Sequence, residues 1–286
     1  VFLKVVNALL CASNRISNLE KENDNVIKKN TLFLYKSKLI LIFFQKNKPF
    51  LCDFIPNNHI DFHSHLLPGI DDGATSIDDT KHLILGLEKI GIKKFITTPH
   101  IMGDVWKNTS EQINTNLTET IFELKKSNIN IHLKAAAEYM IDSEFWEFFK
   151  KEPLMCIKDN LVLVEISYLS PPIQLYDILF ELQVAGYQPV LAHPERYNFY
   201  HETSLGHYKK LKKAGCLFQL NMLSATGYYG ERVAKTADLL LKNGLIDFVG
   251  SDVHHSRHLE FMNKKVVLKN HEYLGFIFQN NSFFNF

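Results

Sequence analysis

From about residue 58 onward, short apolar runs alternate with longer amphipathic segments, and this alternation is the main structural signal in the chain. Seven runs read as strands: 59–63, 94–98, 131–136, 161–166, 188–192, 216–220 and 246–250. The segments between them have helical spacing. Residues 76–90 carry Ile77, Ile84, Leu87 and Ile90 near one face, with Ser76 and Asp79 as a capping pair and Gly91 placed to end the helix. Segments 110–126, 173–185, 207–214 and 231–242 repeat the theme, and Gly186, Gly215 and Gly244 follow the last three. Strands alternating with helices predict parallel β/α units, and about seven units predict a closed or nearly closed α/β barrel.

The beginning of the chain breaks this pattern. Residues 13–30 are polar and rich in Asn and Lys, without helical or strand periodicity. Residues 1–45 are therefore expected to be an N-terminal extension, poorly ordered or not native, ahead of a single domain over 46–286. The opening VFLKVVNALLCAS is interrupted by Lys4, its one basic residue, which argues against a signal peptide. The apolar run at 38–44 is far shorter than the ~20 residues a membrane helix needs.

Composition narrows the function classes. The chain has 286 residues, 46% of them hydrophobic, which suits a soluble protein with a sizeable core. A net charge of +1 and the lack of a dense Lys/Arg stripe argue against a nucleic-acid partner. Cys11, Cys52, Cys156 and Cys216 have no paired spacing, as expected of reduced thiols in a cytoplasmic protein.

The chemistry collects at the ends of the strands. The first run ends in His63-Ser64-His65, whose imidazoles point the same way because side chains alternate along a strand. Later runs lead into His100, Glu138, Glu165, His193, and the Asp252/His254 pair, while Asp71 and Asp72 follow the first. In a β/α barrel these ends converge on one face, so residues scattered between positions 63 and 254 meet in one cavity. The set is rich in His and carboxylate and lacks Cys, which favours Mn, Fe or Zn over a structural thiolate site.

Each residue also has an ordinary role open to it. A lone His such as His100 is more often hydrogen-bonded structure than a ligand. Glu165 has the option of pairing with a buried Arg, Asp71 or Asp72 of shaping the turn before Gly73, and Asp252 of capping a helix. Asp78 and Asp79 are assigned to helix N-terminal electrostatics. The recurrence of metal-competent side chains at nearly every strand end favours the metal site.

The segments DFHSHLLPGIDDGA, TTPH, AAEY, LVEIS, PVLAHPERY and GSDVH occur in that order over about residues 50–275. In this the chain resembles the polymerase and histidinol phosphatase (PHP) superfamily, and within it the manganese-dependent bacterial tyrosine phosphatases of capsule and exopolysaccharide loci. The resemblance implies a distorted (β/α)7 barrel of TIM-like form and three divalent ions, Mn2+ with Fe, Zn or Co as alternatives. It implies that His63, His65, Glu138 and Asp252 bind the first ion, that a bridging Glu138 shares the second with Glu165 and His193, and that Asp72, His100 and His254 bind the third. It also implies a phosphotyrosine protein as substrate, in particular the tail of a bacterial tyrosine kinase.

Clustered divalent ions lower the pKa of a bound water and clamp the attacking and leaving oxygens, so a metal-bridging hydroxide is the expected nucleophile. Arg196, three residues beyond His193, is the expected cation for the phosphate oxygens; its ordinary role would be a salt bridge to Glu195 or another carboxylate. Asp71, His255 and His258 stay open as general acids. Trp106, Tyr168 and Tyr228 are candidates to flank an aromatic leaving group, although core packing or plain exposure is the usual role of such rings. The cysteine-phosphatase route is excluded, since Ser17, Asn58, Val162 and Met222, not Arg, stand six positions after the four cysteines. The alternatives are a histidinol-phosphate type phosphatase or a phosphodiesterase on the same metals, and a non-enzymatic, metal-stabilised scaffold.

Overall fold

Nine parallel strands carry the fold in the computed structural model, which describes residues 48–201 and 204–286. They are β1 (His59–Asp61), β2 (Ile92–Thr97), β3 (His100–Ile101), β4 (His132–Ala135), β5 (Glu138–Met140), β6 (Leu161–Glu165), β7 (Gln188–Ala192), β8 (Leu217–Asn221) and β9 (Phe248–Gly250). The expected extension over 1–45 lies outside the described residues. Residues 49–286 form one compact unit.

All seven expected strands are present, but two are divided in a way that shapes the site. Residues 94–98 lead through Thr98-Pro99 into β3, and 131–136 lead through Ala136-Ala137 into β5. Proline has no N–H to offer a ladder, so pairing lapses at Pro99 and resumes one residue later. The result is two parallel sheets, β1-β2-β4 and β3-β5-β6-β7-β8-β9, and no closed barrel among the described residues. One bond extends each ladder to the break, from the Ala136 N–H to the Thr97 carbonyl beyond the β2–β4 pairing (2.9 Å) and from the Glu138 N–H to the Pro99 carbonyl before the β3–β5 pairing (3.1 Å). An isolated parallel bridge pairs Ser64, beyond β1, with Val253, beyond β9.

The five expected helices form as α1 (Ile77–Lys89), α2 (Ser110–Lys126), α4 (Leu175–Val184), α5 (Gly206–Lys213) and α6 (Glu231–Lys242). Three short helices were not legible in the periodicity: α3 (Phe145–Lys151), α7 (Ser256–Met262) and α8 (Leu274–Asn280). The Ser76 side chain accepts the Asp79 N–H at the start of α1, and Asp78 and Asp79 occupy its first turn, as expected.

The apolar residues separate into two clusters. The larger joins helix residues such as Leu83, Leu87, Leu179 and Leu240 to strand residues Phe95, Val162, Val164, Leu191 and Phe218. The smaller gathers the other strand faces, with Ile60, Phe62, Ile96, Ala136, Leu163, Val190 and Ala192 packed around Phe284. Glu138 and Glu165 stand two residues beyond Ala136 and Leu163, so the strand alternation carries the interior rows straight into carboxylates. Among the described residues no helix is long and apolar enough to cross a membrane.

Candidate metal centre

The strand ends bring all nine expected donors together. Four overlapping groups have ligand atoms within 4.8 Å of one another: His65/Asp72/His100/His254, His63/His193/Asp252, His63/His65/Glu138 and His100/Glu138/Glu165. No other described residue enters such a group.

Glu138 lies at the centre and is fully buried. Its Oε2 is 3.2 Å from His63 Nε2, 3.5 Å from His65 Nε2 and 3.2 Å from His100 Nδ1, while its Oε1 is 3.2 Å from His193 Nε2. Asp252 Oδ1 is 3.4 Å from both His63 Nε2 and His65 Nε2. His63, His65, Glu138 and Asp252 thus converge as one set. The other two sets interleave: His100 Nδ1 is 2.9 Å from Glu165 Oε1, and its Nε2 is 3.4 Å from Asp72 Oδ1. His254 Nε2 is 3.5 Å from the same Asp72 oxygen. His193 groups with His63 and Asp252, whereas Glu165 groups with His100 and Glu138.

Neighbours fix the histidine tautomers. The Gln219 amide donates to the Leu220 carbonyl, leaving its Oε1 to accept from His63 Nδ1 at 2.9 Å. His65 Nδ1 bonds the Asp71 carboxylate at 2.7 Å, and His254 Nδ1 donates to the Asp252 carbonyl at 2.9 Å. With each Nδ1 carrying the proton, each Nε2 presents a lone pair to the cluster.

The fit to cations can be tested on the atoms themselves. His63 Nε2, His65 Nε2, His100 Nδ1, Glu165 Oε1 and both Glu138 oxygens are buried without a hydrogen-bond partner. Lone pairs facing one another in a dry interior are costly, and divalent cations remove that cost while matching the His/carboxylate chemistry. The residues fit. Burial alone would raise the Glu138 carboxyl, but His63, His100 and His193 hold it well below the usual range. Asp252 is likewise held low against burial, by His63, His254, His65 and Arg196. Asp72, more exposed, is held low by His100 and His254. Burial, then Arg196, lowers His193 and keeps it neutral.

Two of these donors sit on unusual backbone. His193 and Asp252 have φ of 35° and 50°, in the left-handed region that side chains other than glycine rarely adopt. Gly250 is required by close approach, since a Cβ there would lie 2.7 Å from His63 Cβ and 2.8 Å from Gln219 Nε2.

Arg196 stands at the rim with one-fifth of its side chain exposed. Its Nη1 donates to Asp252 Oδ2 at 2.7 Å, so the carboxylate it pairs with is a donor of the cluster and not Glu195. Among the described residues Asp252 is the one hydrogen-bonded partner of its guanidinium. Its guanidinium also packs on the Tyr229 and Tyr168 rings, 4.1 and 5.0 Å from their centroids. Glu195 instead turns inward to accept the Ser224 hydroxyl and the Asn221 N–H.

Of the three residues left open as general acids, Asp71 is taken up in orienting His65 and accepting the Gly73 and His100 N–H groups. His258 Nδ1 accepts the His254 N–H. Gln219 and Asn221, which no motif in the sequence singles out, orient His63 and Asp252. Their signal was two polar residues at alternate positions in an otherwise apolar strand.

A family model for capsular polysaccharide synthesis proteins, CpsB/CapC, matches residues 59–275, which include every donor. The chain belongs to this family. It is 30% identical over 203 residues to tyrosine-protein phosphatase YwqE of Bacillus subtilis, covering 71% of this chain and 80% of that protein. It is 26% identical over 202 residues to tyrosine-protein phosphatase CpsB of Streptococcus pneumoniae, covering 68% and 83%. A solved structure from the work on these two metal-dependent tyrosine phosphatases superposes with a TM-score of 0.65 at 29% identity, covering 71% of this chain and 84% of that one.

A cavity of about 480 Å³ opens beside the centre, between the 101–109 loop and α3. None of the nine donors lines it. Ile101 and Met140 form its nearest walls in sequence, one residue beyond His100 and two beyond Glu138.

Proposed function

We propose that this family member is a metal-dependent protein-tyrosine phosphatase that removes phosphate from a bacterial tyrosine kinase controlling capsule or exopolysaccharide synthesis, and that it acts in the cytoplasm. The observation that carries the reading is the pairing of Arg196 with Asp252 beside a buried cluster of metal-competent donors. It unites a phosphate-binding cation with the groups that hold metal, as phosphomonoester hydrolysis requires.

His63, His65, Glu138 and Asp252 would hold one divalent ion, Glu138, Glu165 and His193 a second, and Asp72, His100 and His254 a third, with Mn2+ as the working metal. Such ions, when bound, lower the pKa of water and neutralise charge on the phosphoryl oxygens. The chain's own contribution is positional. Asp71, Gln219 and the Asp252 carbonyl hold three imidazoles in one tautomer. Arg196, fixed through one nitrogen, has further donors in a planar fork for the phosphoryl oxygens. In this reading residues 46–286 make up the domain, and the two sheets are the halves of a distorted (β/α)7 barrel. The Ser64–Val253 bridge between the ends of β1 and β9 supports that arrangement.

The deciding experiment compares a phosphotyrosine peptide with histidinol phosphate as substrates of the Mn2+-loaded protein. Faster turnover of the peptide, nearly abolished in His65→Ala, is expected. Preference for histidinol phosphate would favour a small-molecule phosphatase, and inactivity on both would favour a scaffold.

A further inference from the structure

Three aromatic residues near the site were equal candidates in the sequence, and only one of them borders both the cluster and Arg196. Tyr228 packs edge-on against Tyr229, His258 and Phe261. Trp106 belongs to the short 102–106 turn, closed by reciprocal backbone bonds with Met102. Tyr168 follows the donor Glu165 by three residues. Its ring lies nearly parallel to the His193 ring, with centroids 5.9 Å apart and planes at 21°, and 5.5 Å from the Tyr197 ring. The Arg196 guanidinium carbon is 5.0 Å from its centroid.

Despite these contacts Tyr168 remains 40% exposed. The backing residues fix the ring while leaving a surface free toward solvent. The loop continues outward with Leu169 and Ile173 fully or almost fully exposed and Pro171-Pro172 between them, so the rim on this side is apolar and short of charge. A phosphate bound by Arg196 places its ester substituent within a few ångströms of the guanidinium, which is also the distance of the Tyr168 ring.

We infer that Tyr168 is a specificity-determining residue, whose exposed ring surface receives the phenol ring of phosphotyrosine while Arg196 beside it takes the phosphoryl oxygens. This deepens the phosphotyrosine reading above and rests on it. Offset or edge contacts between aromatic rings favour an aryl ester, and an alkyl phosphate gains nothing from them. Arg196 positions phosphate of any origin, and Tyr168 distinguishes what the phosphate is attached to.

The test measures binding of phenylphosphonate and methylphosphonate to the metal-loaded protein by calorimetry, in wild type, Tyr168→Ala and Tyr168→Phe. The phenyl-over-methyl preference should fall about 3- to 10-fold in Tyr168→Ala and be kept in Tyr168→Phe. Equal weakening of both ligands in Tyr168→Ala would overturn the inference, because the ring would then serve only to position Arg196. An equal loss in Tyr168→Phe would overturn it too, since the hydroxyl and not the face would be at work. Thermal unfolding and metal content of each variant separate these results from misfolding, and Tyr168→Phe retains the ring's packing. A wild-type protein that cleaves histidinol phosphate but no phosphotyrosine peptide would defeat the phosphotyrosine reading by a different measurement, so the two failures are distinguishable.

Discussion

Arg196 and Asp252 are 56 residues apart in sequence and 2.7 Å apart in space, and their bond ties the rim of the site to its floor. The Asp252 oxygen that accepts from Arg196 also accepts from the Asn221 amide, at 2.7 Å, while its other oxygen faces His63 and His65. One carboxylate therefore aims the guanidinium and completes the donor set. Substitution of Asp252 disturbs both functions, whereas substitution of Arg196 leaves the donor set in place.

Replacement of Arg196 should separate them. Arg196→Lys keeps a positive charge but loses the planar fork and the stacking on Tyr229. Its kcat on phosphotyrosine peptide should fall by roughly 10²-fold, the scale of removing one preorganised donor. Bound metal, measured by atomic emission, should stay near the wild-type amount because the nine donors remain. Asp252→Asn should lose both activity and metal. An Arg196→Lys protein with unchanged kcat would remove Arg196 from phosphate binding.

Residues that touch histidines rather than metal should tune affinity. Asp71→Ala and Gln219→Leu each release an Nδ1 that is now held, from His65 and His63 respectively. Partners of this kind are worth about 10- to 100-fold in metal affinity. A Mn2+ titration followed by the rise in melting temperature should show that weakening, with the apo proteins less affected than the loaded ones. Unshifted metal dependence in both variants would mean that the ring orientations are fixed by packing alone.

The sequence carried much of this centre because strand alternation and the β/α rhythm are short-range properties that a linear pattern reveals. His63, His65, Glu138 and Glu165 lie where those periods place them. What stayed hidden depended on three-dimensional neighbours. Nothing local distinguishes Glu195 from Asp252 as the partner of Arg196; the choice follows from the 3-10 turn after His193, which buries Glu195 against Ser224 and Asn221. The interleaving of His65 and His100 with their neighbours' sets is also a matter of side-chain reach, not spacing. The division of two strands at Pro99 and Ala136-Ala137 was foreshadowed by the proline, but its consequence, two sheets instead of one, depends on pairing across the chain.

Gly73 and Gly275 should respond in opposite directions to the same substitution. A Cβ at Gly73 would lie 2.4 Å from both Cβ and the carbonyl oxygen of His65, so Gly73→Ala pushes a donor from its place. The expected cost is about 1–3 kcal/mol, as for overpacked interiors, together with weaker Mn2+ binding. Gly275 is inside α8 with open space around its would-be Cβ, so Gly275→Ala should stabilise by up to ~1 kcal/mol. Urea unfolding of the two variants checks both signs, and a Gly73→Ala protein as stable and as metal-competent as wild type would contradict the close approach.

His59 should give the fold a distinct acid sensitivity. It is almost fully buried at the start of β1, its ring 5.1 Å from that of Phe278 in α8. Burial lowers its pKa from 6.5 to about 3, with the Phe278 backbone pulling weakly the other way. Between those two values the unfolded chain binds a proton that the folded protein excludes, so stability falls as pH drops through that window, by up to ~1.4 kcal/mol per unit. Above pH 6.5 the ring is neutral in both states and contributes no pH dependence. His59→Phe removes the titration while keeping an aromatic ring beside Phe278. Other buried groups titrate in the same range, so the informative quantity is the difference in slope between wild type and variant. Urea unfolding at several pH values from 7.5 to about 4 should give the variant the shallower decline, with a constant offset near neutrality. Parallel curves would show that His59 takes up its proton in the folded protein, against the penalty its burial imposes.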